Sequence, residues 1–180
     1  MDEPADIRYN HIFEHFKEPL LQMEHFWYSQ IPAASRSIIE TNLDIYATAQ
    51  PENYAAMQSL ADMLGLPASQ TVLVNMIVER ATFCTSIVAR NHETNEIVHV
   101  RNLDFGNTEN MTQLVYEGVF IKNGVEKARC PLIAGFLGAY TGRNAHFSIS
   151  YNVRESTAYS ETAQLDANFQ RNLSPFHMPA

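Results

Sequence analysis

The chain is 180 residues long, with 46% apolar residues and a formal net charge of −8. That length suffices for one packed domain, and the apolar share excludes a disordered polymer. The acidic balance excludes a nucleic-acid binder, which needs a basic footprint, and suits an acidic compartment where carboxylates lose charge.

No apolar run is long enough to span a bilayer, and Met1-Asp2-Glu3-Pro4-Ala5-Asp6 has none of the features of a secretory signal peptide. Either a leader lies outside this stretch or the product is not secreted in this form. Up to about Gln50, Phe13, Phe16, Leu20, Leu21, Met23, Phe26 and Trp27 recur at mixed helical spacing. His11 and His15 stand one helical turn apart, the separation at which two imidazoles share a metal ion. No third ligand stands at matching spacing, so the expectation is two solvated histidines and no metal. Ser35 to Tyr46, with Ile38, Ile39, Leu43 and Ile45, fits helix or strand. Pro51 and Glu52 open a helix whose apolar stripe is Ala56, Met57, Leu60, Met63 and Leu64, with Gly65 closing it. A second helix follows Pro67, capped by Ser69, and runs through Val72, Leu73, Met76 and Ile77 toward Arg80. Glu79 lies close enough in sequence to matter for processing at the junction before Cys84, but the expectation is a solvated charge or local ion-pair partner.

The run Cys84-Thr85-Ser86-Ile87-Val88-Ala89 then places a thiol at the opening of a β-branched stretch. Such a cysteine is either a small hydrophobe packed in a sheet or an exposed nucleophile. After the polar excursion 91–95 the chain returns as Glu96 to Asp104, so the two runs read as a hairpin. With 91–95 as the loop, Arg90 pairs with Glu96, Cys84 lies opposite Asn102, and Asp104 is its diagonal neighbour. A one-residue slip brings Arg101 to the face of Cys84 instead. Arg101 and Asp104 share a face only across a bend or bulge. Leu114 to Lys122, Asn123-Gly124, and Val125 to Ala128 form a second hairpin about a tight I′ turn. Gly135, Gly138 and Gly142 imply tight turns or close backbone approach. Ala145 to Val153 supplies a further strand with Phe147, Ile149 and Tyr151 on one face, and the polar segment from Glu155 reads as unstructured. Cys130 is read as a packed or free thiol, since a nucleophilic Cys84 cannot be tied up in a disulfide. Asn110-Met111-Thr112 and Asn172-Leu173-Ser174 match the glycosylation triplet.

Several of these stretches, in order, resemble the acid ceramidase family, whose members include N-acylethanolamine acid amidase, within the N-terminal nucleophile hydrolases. They are Met63-Leu64-Gly65-Leu66, Val74-Asn75, Cys84 to Ala89, Arg101-Asn102-Leu103-Asp104-Phe105-Gly106, and Ala134 to Gly142. The likeness runs from about residue 50 to about 155, and Asp104-Phe105-Gly106 leans toward the ceramidase branch. The resemblance implies an α+β fold, the αββα sandwich of such hydrolases. Residues 1–83 would be the α-subunit or propeptide, and 84–180 the start of a β-subunit incomplete at its C-terminal end. It also implies autoproteolysis between Phe83 and Cys84, giving an α/β heterodimer. The freed α-amine, with a reference pKa of about 7.7 to 8.0, would serve as the base for the thiol on the same residue. By the resemblance Asp104 would fix that amine, and Arg101 would favour the thiolate and orient the substrate amide. The implied activity is hydrolysis of N-acylsphingosine to sphingosine and fatty acid, without a cofactor. N-acylethanolamine is the alternative substrate. A lysosomal (or secreted) location, a saposin-type lipid-presenting partner and contact with a membrane surface belong to the same expectation.

Two departures are visible. The family continues well beyond position 180, with an asparagine and an arginine of the site, and where it commonly carries Asn-Glu-Arg or Asp-Glu-Arg this chain has Asn152-Val153-Arg154. Half a sandwich leaves sheet edges and apolar faces uncovered. A second reading therefore stands beside the enzyme: a shortened, inactive relative that binds a full-length enzyme or lipid. A papain-like Cys-His hydrolase is poorer, because no histidine stands in a recognisable base context.

Overall fold

The computed structural model describes residues 1–78, 83–104 and 111–151, and the side chains of all of these except 77, 78, 83, 103 and 104. Within them the order is helices first, strands after: α1 (Asn10–His15), α2 (Lys17–Gln30), α3 (Ala33–Ala49), α4 (Pro51–Leu64) and α5 (Ala68–Val78), then β1 (Phe83–Arg90), β2 (Ile97–Asp104), β3 (Val115–Lys122), β4 (Val125–Ile133), β5 (Thr141–Arg143) and β6 (Ser148–Ser150). β1 and β2 form one antiparallel sheet, and β3-β4-β5-β6 form a second. The α+β expectation holds, and the arrangement is consistent with part of an N-terminal nucleophile hydrolase fold.

α5 is the centre of the helical part. Val72, Leu73, Val74 and Met76 are all buried, the signature of a helix apolar on every side, and α5 packs against α2, α3 and α4. Thr71 is buried beside them because its hydroxyl donates to the Met57 and Ala68 carbonyls, each at 3.0 Å. α5 begins at Ala68, so Ser69 lies inside its first turn and is not the cap expected from the sequence. α4 matches the expected stripe, with Ala56, Met57, Leu60 and Leu64 buried. Gly65 takes the left-handed conformation (φ +69°) that ends helices most cheaply on glycine. The undecided stretch 35–46 is helix, bent at Asn42, whose side-chain amide bonds back to the Ile38 carbonyl at 2.7 Å. One buried side chain in α2 is charged in kind: Glu24 is fully buried among Leu20 and Met23.

The second hairpin turns as expected, with Asn123 and Gly124 both at positive φ. β4 extends to Ile133, past the expected Ala128, and a bulge interrupts the ladder between Phe120 and Ile121. Of the expected strand over 145–153, residues 152 and 153 lie outside the described ones, and within 145–151 only β6 is strand, because Asn144 turns the chain first. Its side-chain oxygen accepts from the His146 and Phe147 amides at 2.8 and 2.9 Å. Phe147, Ile149 and Tyr151 are exposed. The helical core reaches the sheets through Ile133, Ala134 and Phe136, which join Leu20, Met23 and Leu60 in one cluster.

Candidate functional site

β1 and β2 carry Cys84, Arg101 and the Asp104 backbone. Their β-branched residues favour extended chain, and the turn between them is stabilised locally. Asn91 accepts from the Glu93 and Thr94 amides through its side chain, its own N–H donates to the Glu96 carbonyl at 2.8 Å, and Asn95 takes φ +61°. The loop is therefore 91–96, one residue longer than expected. Arg90 pairs with Ile97 and Cys84 with Leu103, which corrects the expected pairing of Cys84 with Asn102. A slip of one residue exchanges the faces of a strand. Cys84, Ser86, His99 and Arg101 thus share one face, and the Asp104 backbone pairs with Phe83. The ladder runs unbroken to that pair, so no bulge separates Arg101 from Asp104. The Asp104 side chain lies outside the described residues, as do Glu79, Phe105, Gly106, Asn110, Asn152 to Arg154 and the triplet at Asn172.

This face also carries the exposed Val88 and Ile97, and meets the second sheet through Ser86 and His99. The Ser86 and Ser150 hydroxyls meet at 2.8 Å, and His99 Nδ1 is 2.8 Å from the Ser148 hydroxyl. Between these contacts and the helical core sits Arg101. Its Nη1 donates to the Tyr140 carbonyl and, at 3.0 Å, to the Thr141 hydroxyl; its Nη2 donates to the Tyr151 carbonyl and reaches Cys84 Sγ at 3.1 Å. The guanidinium also lies 5.9 Å from the centre of the Tyr140 ring, within cation–π range. Arg101 Nε is buried with no partner among the described residues. Among the described residues its acceptors are neutral and leave its charge uncancelled, and the guanidinium lies against the Cys84 sulfur, where negative charge would develop.

Cys130 is buried and unbridged, as expected, with its thiol pushed up by burial. It packs so tightly on Gly142 that a Cβ there would lie 2.5 Å from its sulfur. His15 stacks edge-on against Phe16 at 4.7 Å. Among the described residues no three His, Cys, Asp or Glu side chains converge on a possible metal position, and no helix is long and apolar enough to cross a membrane. A groove of about 400 Å³ between the N-terminal segment and β3, lined by Arg8, Tyr9, Tyr116 and Val119 among others, shares no lining residue with the Cys84 site. Sequence reasoning missed Tyr140, Thr141 and Tyr151 as the holders of Arg101. Two of the three act through backbone carbonyls, which leave no side-chain signal.

No protein-family model matches the chain. Over 98% of its length it is 28% identical to an N-acylethanolamine-hydrolyzing acid amidase of Caenorhabditis elegans, of which it covers 53%. It is 35% identical over 55% of its length to an N-acylethanolamine-hydrolyzing acid amidase of Rattus norvegicus, covering 27% of that protein. It is also 32% identical over 56% of its length to acid ceramidase of Mus musculus, covering 29% of that protein. The chain thus spans about half the length of the worm relative and less than a third of the two mammalian ones.

Proposed function

We propose, on the premise that this chain is a homologue of the acid ceramidase family, that it is the nucleophile-bearing part of a lipid amidohydrolase. The observation that carries this reading is the contact of Arg101 Nη2 with Cys84 Sγ at 3.1 Å. A thiol packed only as a hydrophobe has no use for a half-buried guanidinium aimed at it, and placing one there costs part of its hydration.

In the proposed sequence the Cys84 thiol first attacks the Phe83 carbonyl carbon. The C–N bond of the Phe83–Cys84 peptide breaks, a thioester forms, and its nitrogen becomes the Cys84 α-amine. Water cleaves the thioester, leaving residues 1–83 with a new carboxylate and the second fragment beginning at Cys84. In turnover the α-amine takes the thiol proton as sulfur attacks the substrate amide, then delivers it to the departing amine. Water hydrolyses the acyl-thioester to the fatty acid. Arg101 stabilises the sulfur's charge, and Asp104 orients the amine. The substrate is a lipid amide, N-acylsphingosine first and N-acylethanolamine as the alternative, in an acidic lumen such as the lysosome. A saposin-type presenting protein belongs to the same proposal.

The test is release of fatty acid from both lipid amides at acidic pH, by the wild type and by Cys84→Ala. Turnover lost in Cys84→Ala supports the reading; turnover unchanged by it overturns the assignment of the nucleophile.

A second reading, a binding protein without hydrolysis, is favoured by the uncovered apolar positions on the sheets. Ile87 and Val100 pair on the outer face of the first hairpin, and Val115, Val119 and Ile121 line the outer face of β3, all exposed. Such surface normally meets another layer of protein or lipid. A chain with no turnover in either form, yet shifted by lipid vesicles or a full-length relative, would bear it out.

A further inference from the structure

Asn75 stands near the end of α5, on the helical side of the Phe83–Cys84 bond, and its side chain reaches across to the other side. Its Nδ2 donates to the Gly135 carbonyl at 2.7 Å, and its Oδ1 accepts the Leu137 N–H at 2.8 Å. A side-chain amide bonded this way replaces one rung of a sheet ladder, pairing a stretch of backbone that has no strand beside it among the described residues. The amide is itself fixed, since Nδ2 also lies 3.2 Å from the Thr71 carbonyl and 2.8 Å from Met57 Sδ. On its other side the loop is pressed against α2. Gly135 has φ +83°, and a Cβ there would lie 2.5 Å from Leu20 Cδ2. The loop then passes through Gly138, at φ +100°, to Tyr140 and Thr141. Those residues accept from Arg101 Nη1, while Arg101 Nη2 touches Cys84 Sγ.

We infer that Asn75 is a positioning residue: acting from the helical segment, it fixes the 135–141 loop and, through that loop, the guanidinium beside Cys84. The inference rests on the reading of Cys84 as nucleophile and deepens it. Cleavage would leave Asn75 and Cys84 on different fragments, so this positioning contact would run across the heterodimer that the resemblance implies. A core asparagine kept only for packing would have no effect that depends on Arg101.

The experiment compares the full chain with Asn75→Leu, Arg101→Gln and the double variant. The readout is the rate of Cys84 alkylation by iodoacetamide, located by peptide mass, together with hydrogen exchange at the Leu137 amide. Asn75→Leu has nearly the native shape and neither hydrogen bond. It should speed Leu137 exchange while the β3–β4 hairpin keeps its protection, and slow Cys84 alkylation about tenfold. Arg101→Gln should slow alkylation by a similar factor, and the double variant should be no slower than either, because both act through one contact. Additive slowing in the double variant, or a rate in Asn75→Leu equal to or above that of the wild type, overturns the inference. Asn75→Asp is isosteric and still accepts from Leu137 but no longer donates to Gly135. It carries the same expectation at smaller amplitude if leucine at 75 prevents folding. Fragment mass is read in parallel. An uncleaved wild type with a non-additive cycle would sink the hydrolase reading alone, whereas a cleaved wild type with an additive cycle would sink only the role of Asn75.

Discussion

Replacing Glu24 by glutamine should stabilise the protein at neutral pH and remove most of its pH dependence. Glu24 is fully buried in α2, and neither carboxylate oxygen has a hydrogen-bond partner among the described residues; the nearby buried Gln70 amide nitrogen has none either. Burial pushes the carboxyl from 4.5 up to about 8, and the Gln70 amide beside it acts in the opposite direction although it does not close a hydrogen bond of good geometry. The folded state therefore holds its proton where the unfolded chain releases it. Below pH 4.5 both states are protonated and the full stability is present. It falls as pH rises from 4.5 toward 8, and by pH 7 the loss is about 2.5 pH units, roughly 3 kcal/mol. Glu24→Gln keeps the shape and cannot ionise, so the variant and the wild type should match near pH 4.5. At pH 7 the variant should melt higher by roughly 6 to 12 °C. Thermal unfolding at pH 4.5, 6 and 7 is the assay. Parallel curves for the two proteins across that range would refute the reasoning, because they would mean Glu24 finds a partner or water when ionised.

Gly135→Ala combines a left-handed residue with a clash against Leu20 and should cost about 2–5 kcal/mol in urea unfolding. Gly142→Ala clashes with the Cys130 sulfur, while the Arg129 carbonyl at 3.4 Å and Cys130 Cβ at 3.7 Å stay at ordinary contact; it should cost about 1–3 kcal/mol, most of it recovered by adding Cys130→Ala, so the pair should be strongly non-additive in a double-mutant cycle. Arg129→Ala breaks contacts to Glu117 and Glu126 at 3.0 and 2.8 Å, but these are solvated surface pairs. The denaturation midpoint should stay where it is.

Where the sequence carried a periodic or turn signal with one physical solution, the element is found as expected. α4 has a proline start, an apolar stripe and a glycine stop, and Asn123-Gly124 makes its hairpin. The helix over 33–49 was ambiguous because Ile38, Ile39, Leu43 and Ile45 satisfy either period, and only packing against α4 and α5 decides between them. The first hairpin failed by one residue. Counting strand residues locates a loop only to within the room its polar side chains take, and here Asn91 and Asn95 hold one residue more. That residue matters, because it puts Arg101 rather than Asn102 on the Cys84 face. The alternative slipped register had contained the right neighbour. Glu24 lies one helical turn beyond Leu20 and next to Met23, on the apolar side of α2. A carboxylate at a core-facing position was the available signal. Asn75 carries no local signal of its role, since nothing in the neighbouring sequence tells a solvated asparagine from one that bridges to a residue sixty positions away.

The central claim is that Cys84 becomes an N-terminal nucleophile, and the most direct measurement is the intact mass of the purified 20.4 kDa chain before and after incubation at acidic pH, with the amino terminus of every species sequenced. The account predicts two fragments held together, one of them beginning at Cys84, and none from Cys84→Ala. A single uncleaved species in the wild type, or cleavage at the same bond in Cys84→Ala, would contradict it.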